Sequence, residues 1–155
     1  MNDSRSDPDI LKEIGFTLLS EGKTLKIRAE GYSMFPSIRP GSVIHIGPYP
    51  QGALPVHGEI IAWKRESGLV VHRLVRMVSD ENGTLFITRG DSTLHEDPPV
   101  TAGQIAGRVH KVEYRGMIMV LQPHETKKKP FYIINRSWVV VLMRLKKFKR
   151  ILTSA

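Results

Sequence analysis

Along most of the chain, short runs of alternating hydrophobic and polar residues are separated by residues that favour turns. Alternation with a period of two is typical of strands that bury one face. Turns at Arg65–Gly68, Asp80–Gly83 and Arg115–Gly116 join neighbouring runs as hairpins. The predicted strands are Thr24–Ala29, Ser42–Ile46, Glu59–Lys64, Leu69–Val78, Thr84–Thr88, Gln104–Tyr114 and Met117–Leu121. We therefore expect a mainly β fold, built as a small, folded, barrel-like sheet.

Two segments near the ends of the chain have the spacing of helices instead. The apolar residues of Ile10–Ser20 partly follow helical intervals, and Glu21–Gly22 is a typical helix stop. Towards the C-terminus, an apolar stripe of near-helical spacing accompanies a dense group of Lys and Arg. The stripe consists of Trp138, Val141, Leu142, Leu145 and Phe148. The pattern predicts a short N-terminal helix before the strands and a basic amphipathic C-terminal helix after them in the sequence.

A chain of 155 residues is long enough for one domain with a single core. We expect an N-terminal tail and helix over residues 1–23 and a β domain over 24–122. A basic linker and the C-terminal helix are expected to occupy residues 123–155.

The positive charge is concentrated in the last of these segments. Nine Lys and Arg and no acidic residue lie between positions 126 and 155. Since the net charge of the whole chain is +8, the remaining residues carry a charge of about −1. A surface that binds nucleic acid usually spreads positive charge over the folded body. Nucleic acid is therefore not the expected partner.

We find no secretory signal and no segment that could cross a membrane. The longest apolar run, Trp138–Met143, is far shorter than the roughly 20 residues of a transmembrane helix. Lys12 and Glu13 interrupt the apolar residues near the N-terminus. The absence of cysteine excludes disulfides and thiolate metal sites. We expect a soluble, cytoplasmic protein whose basic helix could lie on an anionic membrane surface.

Three stretches carry residues suited to catalysis. In Gly31–Pro36, Ser33 lies in a predicted loop. Such a serine usually forms a turn, and it becomes a nucleophile only when a base and oxyanion donors lie within reach. His72 interrupts an apolar strand, as either a hydrogen-bonded core residue or a neutral base in a cleft. Asp91 and Asp97 lie in a polar loop, where a carboxylate either forms a turn or orients an imidazole.

Together these stretches resemble the motifs of the signal peptidase superfamily, which includes the self-cleaving LexA-type repressors. Gly31–Ile38 and Gly41–Val43 are similar to the nucleophile motif of the family, Gly-x-Ser-Met-x-Pro-x-Ile followed by Gly-Ser-Val. Gly58–Ile61 is similar to its next strand, and Arg89–Asp97 to its last motif. The motifs keep their order over about residues 24–110. The resemblance implies a folded β-sheet like that of signal peptidases and LexA.

The best-known bacterial members use a lysine base, whereas this chain has histidine on the corresponding strand. It is thus similar to the archaeal and endoplasmic-reticulum branch, which uses a Ser/His pair with an aspartate. By this resemblance Ser33 is the nucleophile and His72 the general base. Asp97 is the implied orienting carboxylate, and Asp91 supports the site through hydrogen bonds. The residues implied to contact an extended substrate are Gly31, Tyr32, Met34 and Pro36.

The resemblance implies a serine endopeptidase that cleaves a leader or precursor peptide through an acyl-enzyme, without a cofactor or metal. We expect the 32 residues before Ser33 to hold neither the membrane anchor of signal peptidases nor the helix-turn-helix domain of LexA-type repressors. Two alternatives remain open. One is a non-catalytic peptide-binding module or adaptor on the same fold, and the other is a self-cleaving, LexA-like regulator.

Overall fold

The computed structural model describes residues 7–66, 68–81, 83–122 and 130–152. Most of the predicted linker at 123–129 and the first six residues of the predicted tail lie outside the described residues. The helices are α1 (Asp7–Ser20) and α2 (Tyr132–Leu152). The strands are β1 (Leu25–Arg28), β2 (Val43–Gly47), β3 (Ile60–Arg65), β4 (Gly68–Asp80), β5 (Gly83–Arg89), β6 (Val100–Thr101), β7 (Ile105–Tyr114) and β8 (Met117–Val120).

All the strands belong to one antiparallel sheet. Its order is β1-β2-β7-β3-β4-β5-β6, and β8 pairs with β7. No pairing joins β1 to β6 among the described residues, so the sheet is open rather than closed into a barrel. The prediction of a mainly β fold with a helix at each end is therefore confirmed, and among the described strands β1, β6 and β8 each pair with one neighbour.

The predicted strands agree with the observed ones to within about two residues at each end. The turn at Arg115–Gly116 is an example of how the local sequence determines where strands end. Both residues have positive φ angles, 48° and 79°, as the tightest hairpin turns require. Strand β6 was not predicted, because its two residues are too few to form a periodic pattern.

Strand β3 separates two hydrophobic clusters, because successive side chains of a strand point to opposite faces. Ile60 and Ala62 belong to a cluster with residues of β2, β7 and the β1–β2 connection. Ile61 and Trp63 belong to a second cluster with Leu74, Phe86 and Val100. Both faces of the sheet are thus covered at β3.

Helix α2 packs on the β domain through a narrow face. Val139 is 1% exposed and Asn135 is 9% exposed. Three residues of the predicted apolar stripe, Trp138, Val141 and Leu145, do not pack. Together with Ile134, one turn earlier, they are between 47% and 60% exposed and are called here the outer stripe. Within Trp138–Leu145, Val139 is buried and Val140 and Leu142 are half-buried, so only one side of this segment packs, and the packed face is centred on Asn135 and Val139.

The side chain of Phe148, the last residue of the predicted stripe, lies outside the described residues. In the described part of the chain, no helix is both long enough and apolar enough to cross a membrane.

Candidate active site

Ser33 lies in the long connection between β1 and β2, and this connection is fastened to the loop that follows β5. The backbone N–H of Ser92 donates to the carbonyl oxygen of Ser33 at 2.9 Å. The Ser92 hydroxyl, which is almost fully buried, donates to the carbonyl oxygen of Tyr32 at 2.7 Å. These bonds fix the backbone on both sides of the Ser33 side chain relative to the sheet.

The Ser33 hydroxyl lies within hydrogen-bonding distance of a histidine on β4. Its Oγ is 3.0 Å from Nε2 of His72, and Nδ1 of His72 is 2.6 Å from Oδ2 of Asp97. A carboxylate oxygen accepts, so Nδ1 carries the proton in this arrangement and Nε2 is left as an acceptor for the serine hydroxyl. The three side chains therefore form a hydroxyl–imidazole–carboxylate chain, the geometry that activation of a nucleophile requires.

Two further side chains hold Asp97 in position. The hydroxyl of Thr88 donates to Oδ2 of Asp97 at 2.6 Å, and the indole N–H of Trp63 donates to the Thr88 hydroxyl at 3.1 Å. The backbone N–H of Asp97 also donates to the carbonyl oxygen of Thr88 at 2.8 Å. Since Trp63 and Thr88 are buried, the carboxylate is tied to the core rather than to mobile surface groups.

Asp91 makes a different set of contacts. It is completely buried, and Arg73 donates to both of its carboxylate oxygens, from Nε at 2.8 Å and from Nη2 at 2.7 Å. The hydroxyl of Ser37 donates to the same carboxylate. A bidentate pair of this kind is strong and has a fixed direction. Arg73 also donates to the carbonyl oxygen of Gly58 at 2.8 Å.

Gly90 lies at the closest contact between the loops of the site. A Cβ atom at this position would be 2.7 Å from the carbonyl oxygen of Ser33 and 3.2 Å from Nε2 of His72. It would also be 2.8 Å from the side chain of Thr93. Only glycine leaves room for Ser33 and His72 to approach each other here.

Charged groups at the rim keep the loop after β5 in place. Glu96 is paired with Arg76 at 2.8 Å, and this hydrogen bond lowers the pKa of the Glu96 carboxyl. The guanidinium of Arg89 stacks on the ring of Tyr132 in α2, 3.6 Å from the ring centre. Burial raises the pKa of the Tyr132 hydroxyl, so the ring under Arg89 stays neutral.

A largely apolar pocket of about 180 Å³ opens next to Ser33. Ile27 and Ala29 of the β1 segment, Ile44 of β2 and Val71 of β4 contribute to its walls. Of the predicted substrate-contacting residues, Gly31 and Met34 line this pocket. Tyr32 lines a separate cleft against α2, and exposed Pro36 lines neither.

Sequence reasoning missed several residues of this site. Arg73 follows His72 directly, and a charged residue in an apolar strand was a usable signal for a buried ion pair. Ser92 follows Asp91 directly but has the ordinary appearance of a loop serine. Asn135 donates to the carbonyl oxygen of Asp91 at 2.8 Å, from a helix some 40 residues further along the chain. Nothing in its local pattern predicts that contact.

The described residues contain no group of three or more His, Cys, Asp or Glu side chains that could hold a metal ion. His95, which is close in sequence to both aspartates, is exposed. The functional groups that meet at the site are the Ser33 hydroxyl, the His72 imidazole and the Asp97 carboxylate.

The two aspartates differ in their surroundings, and their removal should have different effects. We expect Asp91→Ala to lower the free energy of unfolding by roughly 3–5 kcal/mol, because it leaves the buried Arg73 charge unpaired. Asp97→Ala should cost much less stability but slow the reaction of Ser33 with a fluorophosphonate by at least about 100-fold. Urea unfolding and labelling rates measure the two effects. Equal losses of stability in the two variants would contradict this division.

The contacts of Gly90 predict a second effect. Gly90→Ala should slow fluorophosphonate labelling of Ser33 by about 100-fold, because the added methyl group pushes the nucleophile away from its base. Gly103→Ala is the matched control, since a Cβ atom there meets nothing within 4 Å. If Gly90→Ala reacted as fast as Gly103→Ala, the close approach at Gly90 would have no role in the site.

Known proteins add no constraint on the function of this site. No protein-family model matches the chain, and no curated protein matches it. The likeness to the signal peptidase superfamily rests on the residues of its three motifs. The function must therefore be inferred from these motifs together with the contacts of Ser33, His72 and Asp97.

Proposed function

We propose that the chain is a serine endopeptidase of the signal-peptidase type that cleaves a leader or precursor peptide. The observation that carries this proposal is the continuous hydrogen-bonded chain from Ser33 through His72 to Asp97, at 3.0 and 2.6 Å. A histidine with a purely structural role in the core needs one hydrogen-bonding partner on each ring nitrogen. It does not need that partner to be a serine in a loop that a second loop holds in place. The arrangement is the one that activates a hydroxyl for acyl transfer.

In the proposed reaction, Oγ of Ser33 attacks the carbonyl carbon of the scissile bond while Nε2 of His72 takes the hydroxyl proton. The N–H of Ser33 would hold the oxyanion of the tetrahedral intermediate. Breakdown of that intermediate breaks the C–N bond, and the imidazolium returns its proton to the leaving amine. Water then attacks the acyl-enzyme with His72 as base, which releases the carboxylate product and restores the Ser33 hydroxyl.

Asp97 would orient the imidazole and stabilise its charged form. The side chains of His72 and Asp97 are only 12% and 21% exposed, so water screens their interaction less than at an open surface. Asp97 therefore acts on the reaction through His72. Asp91 would act one step further away, by fixing Ser37 and the loop that carries Ser33.

The surroundings of Ser33 suit an extended peptide. Strand β1 is at the end of the strand order and pairs with β2 alone among the described strands. A peptide could therefore add to the sheet beside β1, with its main chain hydrogen-bonded to the strand. The apolar pocket next to Ser33 would then take the side chain before the scissile bond.

The same edge and pocket also favour the alternative of a peptide-binding module or adaptor without turnover. A module of this kind would bind extended peptides equally well with Ser33→Ala. A self-cleaving regulator, the other alternative, would shorten its own chain on incubation. A binding module does not require His72 to lie against Ser33, and a catalytic function is therefore favoured over it. A self-cleaving regulator would use the same Ser33 and His72 pair, and the incubation test separates it from the proposed peptidase.

The peptidase is tested with a fluorophosphonate or penem-type acylating reagent, followed by mass spectrometry of the adduct. We expect an adduct on Ser33 in the wild type and none in Ser33→Ala. His72→Ala should lose at least about 100-fold in labelling rate, because the hydroxyl is then attacking without a base.

The matched controls are Ser79→Ala and His95→Ala, which remove an exposed serine and an exposed histidine away from the dyad. Both should be labelled like the wild type. Absence of an adduct from the wild type, with all variants folded, would rule out a nucleophilic Ser33 and leave the peptide-binding module.

We also propose that α2 contacts an anionic membrane surface through its outer stripe. Ile134, Trp138, Val141 and Leu145 repeat at helical spacing and face away from the β domain. The helix contains no acidic residue, and Lys149 and Arg150 lie in its last turn. An apolar face next to positive charge fits the boundary between acidic headgroups and acyl chains.

Vesicle co-sedimentation tests this contact. The wild type should bind vesicles containing phosphatidylserine, and Trp138→Ser with Leu145→Ser should bind at least about tenfold more weakly, because two large apolar side chains no longer leave water. Leu54→Ser with Val56→Ser, two exposed residues outside α2, is the matched control. Equal binding by both double variants would exclude the outer stripe as the contact.

A further inference from the structure

A second cleft opens beside the connection between β1 and β2 that carries Ser33, on the side that faces α2. Tyr32, the residue before Ser33, forms one wall, and Met143 with five basic residues between Arg144 and Arg150 forms the other. The cleft has a volume of about 710 Å³, several times that of the apolar pocket. Since neighbouring Cα atoms are about 3.8 Å apart, a ligand in contact with Tyr32 is within a few residues of a bond held at Ser33.

Contacts at the start of α2 fix the direction of its basic end. Asn135 donates to the carbonyl oxygen of Asp91, Tyr132 lies under the guanidinium of Arg89, and Val139 is buried. Asn135 and Tyr132 hold the start of the helix against the end of β5 and the loop that follows it, which also supports the active site. The remaining turns extend past that contact, and their basic side chains line the cleft beside Tyr32.

This cleft carries more positive charge than is needed to balance the dipole of the helix. Basic residues in a last turn usually balance the negative end of the helix dipole, which amounts to about half an elementary charge. Five basic residues line the cleft, and Arg144, Lys146 and Lys147 among them are exposed. The sequence of α2 itself contains no acidic residue. A concave surface of one sign concentrates the field and attracts ligands of the opposite charge.

The cleft and the outer stripe of α2 have no residue in common. Successive residues of a helix are about 100° apart around its axis, so Met143 and Lys147 lie on the side opposite Val141 and Leu145, whereas Lys149 is one turn from Leu145. A membrane on the outer stripe would therefore leave the Met143 and Lys147 side of the cleft open, and that side calls for a ligand of its own.

We propose that this cleft binds acidic side chains of the substrate, so that the enzyme prefers peptides with Asp or Glu within a few residues of the scissile bond. The inference rests on the proposed peptidase function and names the substrate class of the same site. The apolar pocket receives one side chain next to the bond, and the basic cleft selects the charge of the segment beyond it. Arg144, Lys146 and Lys147 are the residues that determine this specificity.

The test compares cleavage of paired synthetic peptides that share an apolar side chain before the scissile bond. One member carries three Glu residues on one side of the bond, and the other carries three Gln residues at the same positions; both sides are tried. For the wild type, the Glu peptide of at least one pair should have the higher kcat/KM, with a preference of about tenfold that weakens as salt is raised. In the variant Arg144→Glu, Lys146→Glu, Lys147→Glu, that preference should disappear or reverse.

The matched control reverses three exposed basic residues outside the cleft, Lys23, Lys64 and Arg136, and changes the net charge by the same amount. It should keep the wild-type preference. Equal cleavage of Glu and Gln peptides by the wild type, or the same preference in the cleft variant, would overturn the inference while leaving the peptidase intact. Absence of both cleavage and a Ser33 adduct would instead refute the peptidase itself, so the two failures are distinguishable.

Discussion

The buried ion pair between Arg73 and Asp91 joins most of the parts from which the site is assembled. Arg73 extends from β4, and Asp91 lies in the loop after β5. Ser37, in the connection between β1 and β2, donates a hydrogen bond to the Asp91 carboxylate. The backbone of Asp91 also receives the Asn135 side chain of α2. A buried charge is tolerated only when it is paired and hydrogen-bonded, so these segments can pack only in an arrangement that satisfies both partners. The position of Ser33 is set by that requirement.

The alternation of side chains along β4 separates the roles of the two aspartates. His72 and Arg73 are neighbours in sequence and therefore point to opposite faces of the sheet. His72 shares its face with the cluster of Trp63 and Leu74, where Asp97 is held. Arg73 faces the other way, to Asp91. Within one dipeptide, His72 thus contacts Asp97 beside Ser33, and Arg73 contacts the buried Asp91.

Much of this architecture could be predicted from local patterns. The period-two runs and turn residues predict all strands except β6, and the three motifs single out Ser33, His72 and both aspartates. Contacts between distant segments could not be predicted in this way. Asn135 lies in a helix whose apolar spacing drew attention to the stripe from Trp138 to Leu145, yet most of that stripe is exposed and the polar side chain is buried. A helix buries whichever face meets a matching surface, and the carbonyl oxygen of Asp91 is a partner that no local pattern reveals.

The two tryptophans of the chain have opposite surroundings. Trp63 is 4% exposed and its indole N–H reaches Asp97 through a single hydroxyl, whereas Trp138 is 59% exposed on the outer stripe. Indole emission shifts with the polarity and hydrogen bonding around the ring. The natural chain therefore contains two intrinsic fluorophores, one that senses the carboxylate behind His72 and one that senses the medium beyond α2. Selective quenching of the exposed ring would allow events at the site to be followed in real time without a label.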